Sequence, residues 1–316
     1  MTELQKAANI VLKECMNFKE SESLLIVFDE NKKSIVDVLL KVGKEISSNV
    51  NSIEIPVGKI HGEEPPSEVA QEMKKYDIIL LITTKSLSHT DARRNACKGG
   101  ARGASMPGIT EDMMERTLNA DYVKISAVGD QLKEKLAGEK VRVVTKLGTD
   151  LVMEMNKLFD DNGLYHEKGS FGNLPAGEIG FAPVEGKTNG TFVVDQTLGG
   201  IGRLKAPIKF TVKDGSVVDI EGEEEAKDLK KRLMEFKDSS VYNVAELAIG
   251  TNDKAKITGF TLEDEKVIGT VHIAIGDNTS FPGGTITAPV HLDGILSEPT
   301  VYVDDNMIME DGKLLI

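Results

Sequence analysis

Hydrophobic and polar positions follow two different rhythms along this chain. In the first half, short unbroken apolar runs alternate with stretches of helical spacing. Leu24, Leu25, Ile26, Val27 and Phe28 form one such run, the pattern of a strand buried on both faces. Ile35, Val38, Leu39, Val42 and Ile46 then recur at the spacing of a helix face,. Residues 52–57 predict a second strand, 68–75 a helix and 77–83 a third strand, with further helix over 110–119 and 122–137. Strand and helix in alternation predict a parallel sheet flanked by helices. Ahead of it, Leu4, Ala8, Val11, Cys15 and Phe18 mark an amphipathic helix.

From Val141 onward the rhythm changes to strands: VRVVTK, TDLVMEM, GTFVVDQ and PIKFTV. Lys213-Asp214-Gly215 and Glu310-Asp311-Gly312 mark hairpins, because Asp-Gly accepts the positive φ angles of a tight turn,. One charged helix over 223–237 interrupts them. The fold expected is therefore an α/β N-terminal domain with a mainly parallel sheet over 1–145. An α+β C-terminal domain with largely antiparallel strands follows over 146–316, and 316 residues suffice for two cores,.

The formal charge of −13 argues against nucleic acid as a partner, and no basic run offsets it,. No stretch approaches the ~18 uninterrupted apolar residues of a membrane span. The N-terminus lacks the apolar core and cleavage site of a signal peptide. Two cysteines, Cys15 and Cys97, make no disulfide framework and no CxxC, so free thiols in a cytoplasmic protein are expected,.

Candidate chemistry gathers near the C-terminus. Pro289-Val-His291-Leu-Asp293-Gly294, with Thr285 to Thr287 before it, reads as a strand. There His291 and Asp293, two apart, project from one face and can grip a single metal ion. Upstream, Glu178 in PAGEIGFAP, Glu246 in VAELAIG and His272 in TVHIAIG stand in equally apolar settings. A buried carboxylate without a partner is costly. For Glu178 a salt bridge satisfies that demand as well as a metal does; Glu246 interrupts a run that otherwise reads as core. Glu265 lies in a more charged segment and reads equally as a solvated turn acid. Hard oxygens and imidazole nitrogens without thiolate suit Zn, Co, Mn or Fe(II) in a catalytic role. His89, Arg93, Arg94 and Arg102 follow the third strand and could bind a carboxylate, or simply cap and cover a helix at Thr90 or Asp91,. Gly199-Gly-Ile-Gly202 reads as a turn, and His61 and His166 as loop residues.

In order and content, PAGEIGFAP, AELAIGTN, DEKVIGTVHIAIG and HLD resemble the metal-dependent aminopeptidases of the aminopeptidase T / aminopeptidase S family, mainly over residues 172–316. HTDARRNACKGGARGASMPGIT resembles that family's N-terminal domain. The resemblance implies two divalent ions (Zn, Co or Mn) held by Glu178, Glu246, Glu265, His272, His291 and Asp293. Glu246 would bridge them, Glu178 and Glu246 would be catalytic, peptides would be cleaved from their N-termini, and the protein would be a homodimer. Presence of all three glutamates favours this hydrolytic expectation. The peptidases carry a tyrosine seven residues after the motif histidine, where this chain has Thr279. A shorter relative of the same fold, the 2,5-dihydroxypyridine dioxygenase type, implies instead one Fe(II) in a triad of His272, His291 and Asp293. A relative that binds metal without turnover is the third alternative.

Overall fold

In the computed structural model, which describes residues 1–316, the chain divides into two compact units. The first comprises Met1–Ser126 and Asp161–Ala176, the second Ala127–Asp160 and Gly177–Ile316. This differs from a single cut at 145, because the chain returns to the first unit after leaving it.

The first unit is an α/β layer structure. Strands β1 (Leu24–Asp29), β2 (Val50–Ile55), β3 (Ile78–Ile82) and β4 (Arg102–Ser105) lie in one parallel sheet in the order β2-β1-β3-β4. Both β1 and β3 are buried along their whole length, as their unbroken apolar runs require. Helices Lys33–Ile46, Ser67–Met73 and Asp91–Lys98 make the connections. The amphipathic N-terminal segment is α-helical over Glu3–Asn9 and continues as a π-helix over Ile10–Cys15.

Two strands, β5 (Lys140–Val144) and β6 (Asp150–Asp161), begin the second sheet before β7 (Phe171–Asn173) adds a fifth parallel strand to the first. The second sheet then takes all later strands: β8 (Glu178–Val194), β9 (Thr197–Leu198), β10 (Gly202–Arg203), β11 (Ile208–Lys213), β12 (Ser216–Glu221), β13 (Val244–Gly250), β14 (Val271–Gly276), β15 (His291–Leu296), β16 (Thr300–Val303), β17 (Asn306–Glu310) and β18 (Lys313–Leu314). Its pairings are antiparallel. The fold is thus an N-terminal α/β domain with a parallel sheet and a C-terminal, mostly antiparallel sheet domain. Both Asp-Gly turns form as expected, Asp214 and Gly215 at φ 48° and 79°, Asp311 and Gly312 at 44° and 78°. Gly199 to Ile201 is the turn between β9 and β10.

Four neighbouring strands, β15-β14-β13-β8, carry the polar residues of interest. Alternation sorts each strand between two faces. Ile179, Phe181, Leu247, Ile249, Val271, Ile273, Ile275 and Leu296 go into one apolar core. The opposite face is left for Glu178, Glu246, His272, His291 and Asp293. No helix is long and apolar enough to cross a membrane.

Candidate metal centre

Register explains how these side chains meet. His272 lies opposite Ala248, Asp293 and Glu246 both lie opposite Ala274, His291 opposite Gly276 and Glu178 opposite Gly250. Each polar residue thus has a small one opposite it on at least one neighbouring strand, which leaves room for functional groups to converge. Glu246 gets its place from a bulge: the β13/β14 register shifts between Val244 and Glu246. Such an extra residue re-aims the side chain that follows it.

The distances define a compact cluster. His272 Nε2 lies 3.3 Å from Glu246 Oε1 and 3.4 Å from Glu178 Oε2. His291 Nε2 lies 3.1 Å from both Glu246 Oε2 and Asp293 Oδ1. Three overlapping sets, Glu178–Glu246–His272, Glu246–His291–Asp293 and Glu265–His272–Asp293, each place their donor atoms within 4.8 Å of one another. All six residues named from the sequence thus come together. Glu265 is buried, not a solvated turn acid. It ends a short helix, Thr261–Asp264, in the β13–β14 connection.

Lys266 joins the cluster without any sequence signal of its own. Its side chain is 0% exposed, and its Nζ lies 2.6 Å from Glu178 Oε1 and 2.8 Å from Glu265 Oε1. In Glu263-Asp264-Glu265-Lys266 it reads as one charge in a solvated turn; no local signal separates it from its neighbours. The salt-bridge alternative for Glu178 is therefore realised, while Glu178 also faces His272.

Outside the cluster, backbone atoms fix the orientation of His291. Its Nδ1 lies 2.7 Å from the Asp277 carbonyl oxygen, so Nδ1–H donates there and Nε2 is left facing the acids,. The ring also packs on Phe281, centroids 5.6 Å apart, and Phe281 packs on Phe159 at 4.8 Å. By contrast, His272 Nδ1 is buried without a hydrogen-bond partner, and its polar attachments are to the acids alone. The loop from Asp277 to Val290 is irregular, so residues 285–287 are not strand; β15 begins at His291. Thr279 ties that loop together: its N–H and O–H donate to Asp277 Oδ1 at 3.0 and 2.8 Å.

Electrostatics couple the acids and imidazoles. Burial works against protonated His272, but its hydrogen bond to Glu246 and the charges of Glu178, Glu246 and Glu265 prevail and push it up to about 9. His291 is likewise raised: burial opposes the charge, and Asp293 and Glu246 outweigh it. Burial pushes Glu265 up to about 8, with Asp293 and Glu178 adding to the rise. Glu246 and Asp293 are lowered against the effect of burial, Glu246 by both imidazoles and Asp293 chiefly by His291. Without metal, protons on the imidazoles supply the positive charge that this concentration of carboxylates demands.

The first unit's polar candidates are occupied locally. Arg102 pairs with Glu22 at 2.7 Å and donates to the Met16 carbonyl. Arg93 donates to the Ser88 carbonyl and lies over the Phe171 ring. The Thr90 hydroxyl caps the following helix, and Glu64 accepts its Asp91 and Ala92 N–H groups. Those arginines have partners within the unit, which supports the cap-and-cover alternative.

Comparison with known proteins decides between the resemblances. A family model described as 2,5-dihydroxypyridine 5,6-dioxygenase matches residues 3–316. A 2,5-dihydroxypyridine 5,6-dioxygenase of Pseudomonas putida is 24% identical over 258 residues, 75% of this chain and 71% of that protein. Among solved structures, the 2,5-dihydroxypyridine dioxygenase of Pseudomonas putida KT2440 has a TM-score of 0.88 at 19% identity, covering 100% of this chain and 98% of that one. Wild-type AmpT from Thermus thermophilus has a TM-score of 0.72 at 17% identity, covering 99% of each chain. The aminopeptidase resemblance therefore holds for the fold, and the expectation of a metallo-aminopeptidase, a hydrolase with two Zn, Co or Mn ions, is corrected. The peptidase tyrosine position, Thr279, instead serves its own loop.

Proposed function

Since the chain belongs to the 2,5-dihydroxypyridine 5,6-dioxygenase family, we propose that it is an Fe(II)-dependent dioxygenase that opens the ring of a dihydroxylated pyridine. The carrying observation, beside membership, is the convergence of His272, His291 and Asp293 from two adjacent strands, with Asp293 in one donor set with each histidine.

The donor chemistry fits Fe(II): two imidazoles and a carboxylate with no thiolate make the facial triad of non-haem iron oxygenases. His272 Nε2, His291 Nε2 and an Asp293 oxygen would hold the ion, and the Asp277 carbonyl keeps the His291 tautomer correct,. Bound Fe(II) would supply the electron transfer that lets dioxygen react with a ring diol. Glu246, between the imidazoles, and Glu178, beside His272, would accept a proton from a ring hydroxyl of the substrate,. Phe281, against His291, gives a planar substrate an apolar wall to lie on,.

Oxygen consumption tests this reading. Protein reconstituted with Fe(II) under argon and mixed with 2,5-dihydroxypyridine in air should consume one O2 per ring lost. It should release no p-nitroaniline from leucine p-nitroanilide. Absence of oxygen uptake with fully loaded protein and this substrate would count against the proposal.

A further inference from the structure

Lys266 carries a charge that the ligand set does not use. We infer that its ammonium is a built-in cation occupying the place of a second metal ion, so that this cluster admits one divalent ion. The inference rests on the reading of the cluster as a metal centre and concerns how many ions it holds.

The two acids that Lys266 touches belong to different donor sets, Glu178 with Glu246 and His272, Glu265 with His272 and Asp293. At 2.6 and 2.8 Å, the ammonium takes one oxygen from each. A second ion would need such oxygens at about 2.0–2.2 Å and would sit roughly 3.5–4 Å from the first. It would then stand against a buried ammonium. The four carboxyl groups bring at most four negative charges. One dication and the ammonium bring three positive charges, whereas two dications and the ammonium bring five.

Backbone anchoring keeps the ammonium there. Lys266 N–H donates to the Glu263 carbonyl at 2.9 Å, and its own carbonyl accepts from Asn252 N–H at 2.8 Å. The Asp264 carboxylate beside it accepts from Thr258 N–H, Gly259 N–H and the Thr197 hydroxyl. Gly250 lets this turn press on β13, since a Cβ there would lie 2.1 Å from the Val267 carbonyl oxygen. With its backbone pinned and its side chain fully buried, Lys266 cannot withdraw to solvent. It acts as a positioning residue, holding one oxygen each of Glu178 and Glu265.

Titration with Co(II) under argon, followed by calorimetry and by metal content after gel filtration, tests the inference in wild type, Lys266→Met and Lys266→Arg. One ion is expected in wild type and in Lys266→Arg, and two in Lys266→Met. Two ions in wild type, or one in a folded Lys266→Met, overturn it. Should Lys266→Met not fold by circular dichroism, Lys266→Gln carries the same expectation and the same overturning result. Oxygen uptake by iron-loaded wild type is read separately. Uptake together with a single ion in the neutral variants discards the lysine's role and keeps the dioxygenase; no uptake with a second ion in those variants does the reverse.

Discussion

His291 is fixed on three sides, by the Asp277 carbonyl, the Phe281 ring and the acids Glu246 and Asp293. Its Nε2 is thereby presented before any ion arrives. Replacing it by alanine should lower iron affinity by at least about 100-fold, more than the 10- to 100-fold typical of losing an outer-shell partner. Far-UV circular dichroism should stay near wild type, because the ring lies on the sheet face opposite the apolar core; unfolding would show the histidine to be structural. Protonation gives a second expectation at this scale. His272 is pushed up to about 9 and His291 is raised as well, so near neutral pH both are protonated in the metal-free protein. A metal must displace those protons. Apparent affinity should therefore rise with pH up to about 9, by up to about tenfold per unit for each proton released. Calorimetry in buffers of different ionisation enthalpy would detect the release; an affinity flat between pH 6 and 8 would contradict it.

Strand by strand, the site depends on small residues as much as on ligands. Ala274 sits in one row between Glu246 and Asp293. Leucine there would push into the space where the donors meet. Overpacking of this kind costs about 1–3 kcal/mol, so Ala274→Leu should melt lower and retain little iron after gel filtration; full occupancy would mean that the donors lie elsewhere. Much of this was legible beforehand. Glu246 and His272 stand out as the polar residues of the apolar runs VAELAIG and VHIAIG, and His291-Leu-Asp293 reads as two donors on one side. Two features were not legible. The bulge that aims Glu246 depends on pairing with β14, and the burial of Glu265 and Lys266 depends on a turn anchored by Asn252, fourteen residues upstream of the lysine. The first unit shows the same divide. Unbroken runs announced β1 and β3, but nothing local in Phe171-Gly172-Asn173 says that it joins β4 as a parallel strand.

For the whole molecule, the cluster ties stability to pH and to iron. His272 rises from an ordinary 6.5 to about 9, and Glu265 from 4.5 to about 8. Each binds its proton more tightly folded than unfolded. Their contribution is therefore fully present below the unfolded values and lost as pH rises through the folded ones. Glu246 and Asp293, lowered, contribute the opposite slope, present above their unfolded values and lost as pH falls in acid. Between about pH 6.5 and 9 the metal-free protein should thus lose thermal stability, while the iron form resists, because bound metal replaces the protons. At 100 times its dissociation constant, iron adds about 2.7 kcal/mol. Melting curves with and without Fe(II) should therefore diverge as pH rises, and parallel curves would contradict the linkage.

The central claim is a single-iron centre built from two imidazoles and Asp293. The most direct measurement is anaerobic Fe(II) titration of wild type beside His272→Ala, His291→Ala and Asp293→Ala, each shown to be folded. One iron per chain in wild type and loss of tight binding in every one of the three variants is the predicted result. Wild-type affinity and stoichiometry surviving in any of them would contradict it.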